Sequence, residues 1–158
     1  MMKYRLRLNS SQYLIGSYDE LKHLLQLAAG QPFAELELTQ IQEPERAPGL
    51  ITRLLAPIMK WDVNLLNVED EIWALMCGDV AVMSYTEKTG CTFYSVGSDN
   101  IRLGATMMDF YLGTGEQVKY PKEQCISSEE VIRVVLRFYE MGSRPQCIRW
   151  VTFDDIVE

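Results

Sequence analysis

The chain has 158 residues and a mass of 18.2 kDa, with 47% hydrophobic and 23% charged residues, the make-up of one soluble globular domain. A chain of this length buries roughly 68–70% of its unfolded surface, so its core needs neither a metal nor a disulfide staple. A net charge of −7 argues against direct nucleic-acid binding, because an acidic surface repels phosphate, while a basic protein partner fits well. No stretch approaches the 18 apolar residues of a spanning helix, and the charged start Met1–Arg7 is not followed by a signal-peptide core. The four cysteines, Cys77, Cys91, Cys125 and Cys147, lack the close spacing of zinc or redox motifs. They read as reduced, buried thiols of a cytoplasmic protein that binds no membrane and carries no cofactor.

The acidic excess is unevenly placed. Residues 61–158 hold sixteen acids against eight bases, whereas residues 1–42 hold four of each. Between them, Gln42–Gly49 concentrates proline and charge and breaks both periodicities. Forty-two residues make a poor independent core, so the expectation is a single domain over 1–158 with an insertion at about 43–70.

In chain order, Lys3–Leu8 alternates basic and apolar residues as a half-buried strand does. Ser17 and Glu20 have capping-box spacing ahead of a stripe of Leu21, Leu24, Leu25 and Ala28, and Gly30 is placed to end that helix in the left-handed conformation. Ala34, Leu36 and Leu38 alternate with Glu35 and Glu37, predicting a strand with one wet face. Residues 50–60 read as a short helix broken by Pro57. Three strands follow, at Ile72–Cys77, Val80–Thr86 and Cys91–Val96, joined by Gly78-Asp79 and by Glu87–Gly90. A strand alternating about Met108, Phe110 and Leu112 turns through Thr114-Gly115-Glu116 into Gln117–Tyr120. Ser127 and Glu130 cap a last helix whose apolar stripe is Val131, Ile132, Val135, Leu136, Phe138 and Tyr139. Gly142 stops it, and Ile148–Phe153 closes the sheet. The fold class is α+β: an antiparallel sheet of about six or seven strands with two principal helices packed on it, in the order β, α, β, insertion, meander, α, β.

Chemical motifs are sparse. His23 is the only histidine and sits in the first helix, so neither a catalytic triad nor a His-based metal site is at hand. The carboxylate groups Glu69-Asp70-Glu71, Glu129-Glu130 and Asp154-Asp155 fall at element edges, where acids are ordinarily solvated, and no glycine pattern cradles a phosphate. Lys3, Arg5 and Arg7, and Arg133, Arg137 and Arg144, make small basic stripes without interleaved aromatics. The expectation is a non-enzyme that acts by its surface. Acids and tyrosines occur together on the predicted outer sides of strands and loops: Tyr85, Glu87, Tyr94, Asp99, Asp109, Tyr111 and Glu116. Tyrosine supplies rigid contact area and carboxylates complement a basic partner.

The run Ser127–Pro145 followed by Ile148-Arg149-Trp150 resembles the end of an immunity-protein family of bacterial polymorphic toxin systems, the one associated with deaminase toxins. The resemblance rests on a helix of the form S-x-E-E followed at helical spacing by Phe138, then Gly142, an R-P turn at Arg144-Pro145 and a strand carrying Trp150. It extends upstream through Gly16–Leu21, Phe33–Thr39, Gly78–Tyr85, Tyr94–Gly97 and Phe110–Gly113. The long stretch at about 43–70 and the valines at 131, 134 and 135 depart from the pattern. The resemblance implies stoichiometric, near 1:1 blocking of a cognate, basic toxin domain, with Glu130, Phe138, Gly142, Pro145 and Trp150 as fold determinants. Two alternatives stay open: an adaptor domain that binds a protein other than a toxin, and a small enzyme using scattered carboxylates.

Overall fold

The computed structural model describes residues 3–41, 68–97, 107–152 and 154. In chain order these form β1 (Lys3–Leu8), β2 (Ser11–Ile15), α1 (Tyr18–Ala29), β3 (Ala34–Ile41), β4 (Val68–Cys77) and β5 (Val80–Thr86). There follow β6 (Thr92–Val96), β7 (Met107–Tyr111), β8 (Gln117–Pro121), a 3-10 turn (Lys122–Gln124), β9 (Ile126–Ser127), α2 (Ser128–Met141) and β10 (Arg149–Thr152). The helix expected over 50–60, most of the insertion at 43–70, and Asp99 lie outside the described residues.

Among the described residues every strand pairing is antiparallel, and the main sheet runs β10-β6-β5-β4-β3-β1-β2, with the short β9 beside the start of β5. Strands β7 and β8 form a separate hairpin. This is the expected α+β class, two helices on an antiparallel sheet. The order differs at two strands, β2 and the short β9 ahead of α2. Strand β2 precedes α1, reached from β1 through the two-residue turn Asn9-Ser10, with Asn9 in the left-handed region at φ 51°. Asparagine tolerates that conformation better than other side-chain-bearing residues do. As an edge strand β2 shows no clean alternation: Ile15 is buried, yet Leu14 is 63% exposed.

One face of the sheet carries the main core. Leu6 and Leu8 of β1, Leu36 and Leu38 of β3, Ile72 and Met76 of β4, and Met83 and Tyr85 of β5 meet Leu21 and Leu25 of α1 and Val131, Val134, Val135 and Phe138 of α2. Burial of these side chains, at about 25 cal/mol per Å² of apolar surface, is the main stabilising term. The caps are local. Ser127 Oγ accepts the Glu130 N–H (3.1 Å) while the Glu130 carboxylate accepts the Ser127 N–H (2.8 Å), a full capping box. Gly142 ends α2 at φ 64°, its N–H donating to the Phe138 carbonyl (2.8 Å). At α1, Ser17 accepts from the Glu20 N–H (3.2 Å), but the Glu20 carboxylate takes the N–H of Gly16 (2.8 Å) instead of that of Ser17. Gly30 ends α1 right-handed, at φ −79° and ψ −7°, and not left-handed as expected.

The opposite face is covered over part of its area by the β7–β8 hairpin. Phe110, with Met108, Leu112, Val118 and Tyr120, packs on Trp73, Leu75 and Val82. The predicted wet side of β3 is therefore half-buried. Glu35 sits there as a hub, accepting hydrogen bonds from Trp73 Nε1 (3.0 Å) and the Gly113 N–H (2.7 Å), with Arg7 Nη2 3.6 Å away. One carboxylate so ties β1, β4 and the hairpin turn to β3.

Candidate functional site

The seven residues expected at a partner surface divide among several places. Tyr85 is a correction: it faces the helices, is 1% exposed, and packs edge-on against Phe138 at 5.9 Å and beside Trp150 at 6.2 Å. Its hydroxyl donates to Asp70. Burial and the neighbouring Asp70 push its phenol well above the ordinary tyrosine range. Because β5 is covered on both faces, Val80–Thr86 offers no polar–apolar alternation from which its outward side is read. Glu87, in the turn after β5, has Oε1 4.0 Å from Arg144 Nη1. Tyr94 is half-buried on β6 and near enough to Tyr120 to help raise that phenol, after the larger effect of burial. Asp99 lies outside the described residues.

The remaining three residues come together on the hairpin. Asp109 and Tyr111 share one side of β7 with Met107, and the exposed Glu116 is in the β7–β8 turn. Asp109 faces Lys119 of β8 across a 3.7 Å ion pair, both side chains at least half exposed. The Tyr111 ring lies 5.6 Å from that of Phe33. Phe33 and Met107 are 39% and 45% exposed. A partly exposed aromatic pair at one end of β7 and an exposed methionine at the other thus flank Asp109, residue types favoured in protein interfaces. Neither Phe33 nor Met107 was expected there. The adjacent pair Met107-Met108 held the signal for one of them, since successive strand residues face opposite ways.

The motif residues shape the end of the chain. Phe138 is fully buried. Pro145 is buried, and its carbonyl accepts from Trp150 Nε1 (2.7 Å), which holds the indole against the core. Glu130 and Gly142 are the caps of α2 described above. Arg133 and Arg137 pair with Glu130 (3.7 Å) and Glu140 (3.3 Å), local ion pairs on an exposed helix face.

Groups that carry chemistry are dispersed. His23 is exposed on α1, and among the described residues no three His, Cys, Asp or Glu side chains converge to hold a metal. The Glu69–Glu71 trio is not a solvated edge, as expected, but part of β4. Asp70 accepts from the Tyr85 hydroxyl and the Lys88 N–H (3.0 Å), and Lys88 Nζ lies 2.5 Å from Glu69. Burial, with Glu37 opposing, raises the Glu71 pKa. A carboxyl raised in the folded state destabilises the fold when ionised, and that penalty fades as pH falls through its folded pKa toward the unfolded value. Glu71→Gln is expected to raise the melting temperature at pH 7 and to lose its advantage near pH 4. An unchanged melting temperature at pH 7 counts against the effect.

The cysteines also depart from expectation. Cys125 is buried, but Cys91 and Cys147 are exposed and Cys77 is intermediate. Burial, then Glu123, pushes the Cys125 thiol up to about 11. Thiolate is the reactive form, so iodoacetamide at pH 8 is expected to label Cys91 and Cys147 in the native protein and Cys125 only after denaturation, as read by peptide mass spectrometry.

Residues 10–152 match the family described as Immunity protein Imm1. The chain belongs to the Imm1 immunity-protein family. No curated protein matches it. As an Imm1 protein it is an immunity protein directed against a toxin, and members of this family are generally non-enzymatic. The resemblance seen at the Ser127–Trp150 run is thus to the family that matches over nearly all of the chain. Within the Imm1 fold that run forms the helix, turn and edge strand that close the core, and the exposed hairpin is a separate surface. Among the described residues no helix is long and apolar enough to cross a membrane.

Proposed function

We propose that the chain neutralises a nucleic-acid deaminase, or another nucleic-acid-directed toxin, by stoichiometric binding in the bacterial cytoplasm. The observation that carries the surface assignment is the outward side of the hairpin: Tyr111 tilted against Phe33 at one end of β7, Met107 at the other end, Asp109 between them and Glu116 in the turn. Aromatic anchors supply desolvated contact area, and carboxylates steer a basic, nucleic-acid-handling domain into place. Tyr94 belongs to the reading as a flanking contact; Glu87 stands apart, beside Arg144. The deaminase class comes from the resemblance, and any zinc such an enzyme needs belongs to the toxin.

The test is co-expression with the toxin encoded beside the gene. A 1:1 complex on size-exclusion chromatography, rescue of growth, and suppression of base changes in cellular nucleic acid are the expected results. Asp109→Lys with Glu116→Lys is expected to weaken toxin binding at least tenfold and slow association most, with an unchanged circular dichroism spectrum. Full binding by this double variant sinks the hairpin assignment. A toxin that leaves bases intact sinks the deaminase class.

A further inference from the structure

Strand β2 is an edge of the main sheet, pairing among the described residues with β1 alone. The Asn9 N–H donates to the Glu35 carbonyl of β3 (2.8 Å), so the odd-numbered residues of β1 bond toward β3 and the even-numbered ones toward β2. Gln12 and Leu14 stand opposite Arg7 and Arg5, and therefore aim their N–H and C=O groups away from the sheet. Native edges are ordinarily blunted by a charge, a proline or a bulge. The sequence of β2, Ser-Gln-Tyr-Leu-Ile, has neither charge nor proline, and its register with β1 is unbroken.

The margins of this edge are apolar. On the side away from the helices Leu14 is 63% exposed. On the helix side Tyr13 is half-buried and Leu27 of α1 is 51% exposed. Residues 20, 24, 27 and 31 share one stripe along α1 and its exit. That stripe is tied to both ends of β2: the Glu20 carboxylate accepts the Gly16 N–H (2.8 Å), and Gln31 Oε1 accepts from Asn9 Nδ2 (3.0 Å). Leu24 and Leu27 lie between the two ties, and so flank the open strand.

We propose that a second copy of the chain adds to β2 as an antiparallel strand, about a two-fold axis at Tyr13, and continues the sheet through both copies. This contact is independent of toxin binding. With the axis at Tyr13, Gln12 of each copy meets Leu14 of the other, and the outward N–H and C=O groups of both strands find partners. Carried to α1, the same axis sets Leu24 opposite Leu27 and Glu20 opposite Gln31 of the second copy, so no like charges in the stripe face each other. The Arg5 side chains behind Leu14 then stand three strand spacings apart, about 14 Å, which exceeds a Debye length of about 8 Å. Strand β2 has no carboxylate to draw a basic toxin, whereas an uncharged edge pairs with itself without repulsion.

The test is sedimentation equilibrium of the full chain from micromolar to millimolar concentration, in reductant because Cys91 and Cys147 are exposed. The average mass is expected to rise from 18.2 kDa toward twice that value. Deuterium uptake at the Gln12 and Leu14 amides is expected to slow as concentration rises, while uptake in β7 and β8 does not change. Leu14→Lys places a charge on the edge and is expected to weaken association at least tenfold; Leu27→Glu is expected to weaken it severalfold. Met141→Lys, at a side chain 58% exposed on α2, is expected to leave association intact. All three positions are exposed, so an unchanged circular dichroism spectrum is expected throughout. A mass that stays at 18.2 kDa overturns the proposal and leaves the immunity reading standing. A dimer that survives Leu14→Lys, or one whose slowed exchange lies in β7, overturns the β2 assignment. Loss of toxin capture by Leu14→Lys, with the parent chain monomeric throughout, gives the edge to the toxin and overturns the proposal as well.

Discussion

Phe138→Ala is expected to lower the unfolding free energy by about 3–5 kcal/mol, the cost of truncating a fully buried aromatic. Phe138 has no exposed surface and lies where α2 crosses the sheet. Its ring meets Tyr4 at 5.7 Å and Tyr85 at 5.9 Å, both nearly edge-on, and its backbone carbonyl accepts from the Tyr4 hydroxyl (3.3 Å) and the Gly142 N–H (2.8 Å). The two backbone bonds survive truncation of the side chain; the ring contacts with β1 and β5 do not. The loss is therefore one of packing, and the cavity opens between the sheet and α2. Urea denaturation is the measurement: the midpoint falls while the m-value holds. Trp150→Ala is expected to cost less, because that indole is only partly buried. If Phe138→Ala shifts the midpoint no further than Trp150→Ala, the ring does not anchor α2 as described. Against a total stability of about 5–15 kcal/mol for a domain, such a loss abolishes protection against toxin through unfolding and leaves the binding surface unidentified.

That distinction governs what was legible in the sequence. Both helices were, because each couples a 3.6-residue apolar stripe to a serine cap, and the α2 box forms in full. The β4–β5–β6 meander was legible from its turns, Gly78-Asp79 and Glu87–Gly90. The family motif at residues 127–150 was legible too, but its aromatics build the core. The candidate interface was harder to read. Sequence alternation identifies an outside only where one face meets water, and the hairpin covers the second face of β4 and β5. Tyr85, grouped with the acids by chain proximity to Glu87, turned inward for that reason. Tyr111 and Asp109 were placed outward correctly because β7 has one wet side. Phe33 escaped notice because its surroundings depend on contact with β7, which no local pattern encodes. The contact of Arg144 with the Phe93 ring of β6 is another long-range construction. In the sequence, Arg144 shows only as half of an R-P turn and as the end of a small basic stripe.

Gly97→Ala is expected to destabilise the fold by about 3 kcal/mol, at the upper end of the cost of overpacking. A Cβ added at Gly97 would stand 2.1 Å from the Cys125 carbonyl oxygen, 3.3 Å from its carbon and 3.4 Å from the Glu123 oxygen. All three are backbone atoms, so no side chain can swing aside. The site is a seam. Where β6 stops pairing with β5, the Gly97 N–H donates to the Glu123 carbonyl (2.6 Å). The buried Ser95 hydroxyl donates to the Gln124 carbonyl (2.7 Å) and accepts from the Met83 N–H (3.1 Å). Strand β9 then takes over the edge of β5 at Val80 and Ala81. Relieving the clash moves residues 123–125 away from β6 and weakens these bonds together. Hydrogen exchange is expected to rise in β6, β9 and the 3-10 turn while β1 and β3 stay protected. Gly78→Ala is the informative comparison. Gly78 sits at φ 60° with open space around its Cβ position, so the same substitution there carries only the left-handed penalty of about 1–2 kcal/mol. If Gly97→Ala proves no more damaging than Gly78→Ala, the chain has room at the seam and the close approach of residue 97 to residue 125 is not required by the fold.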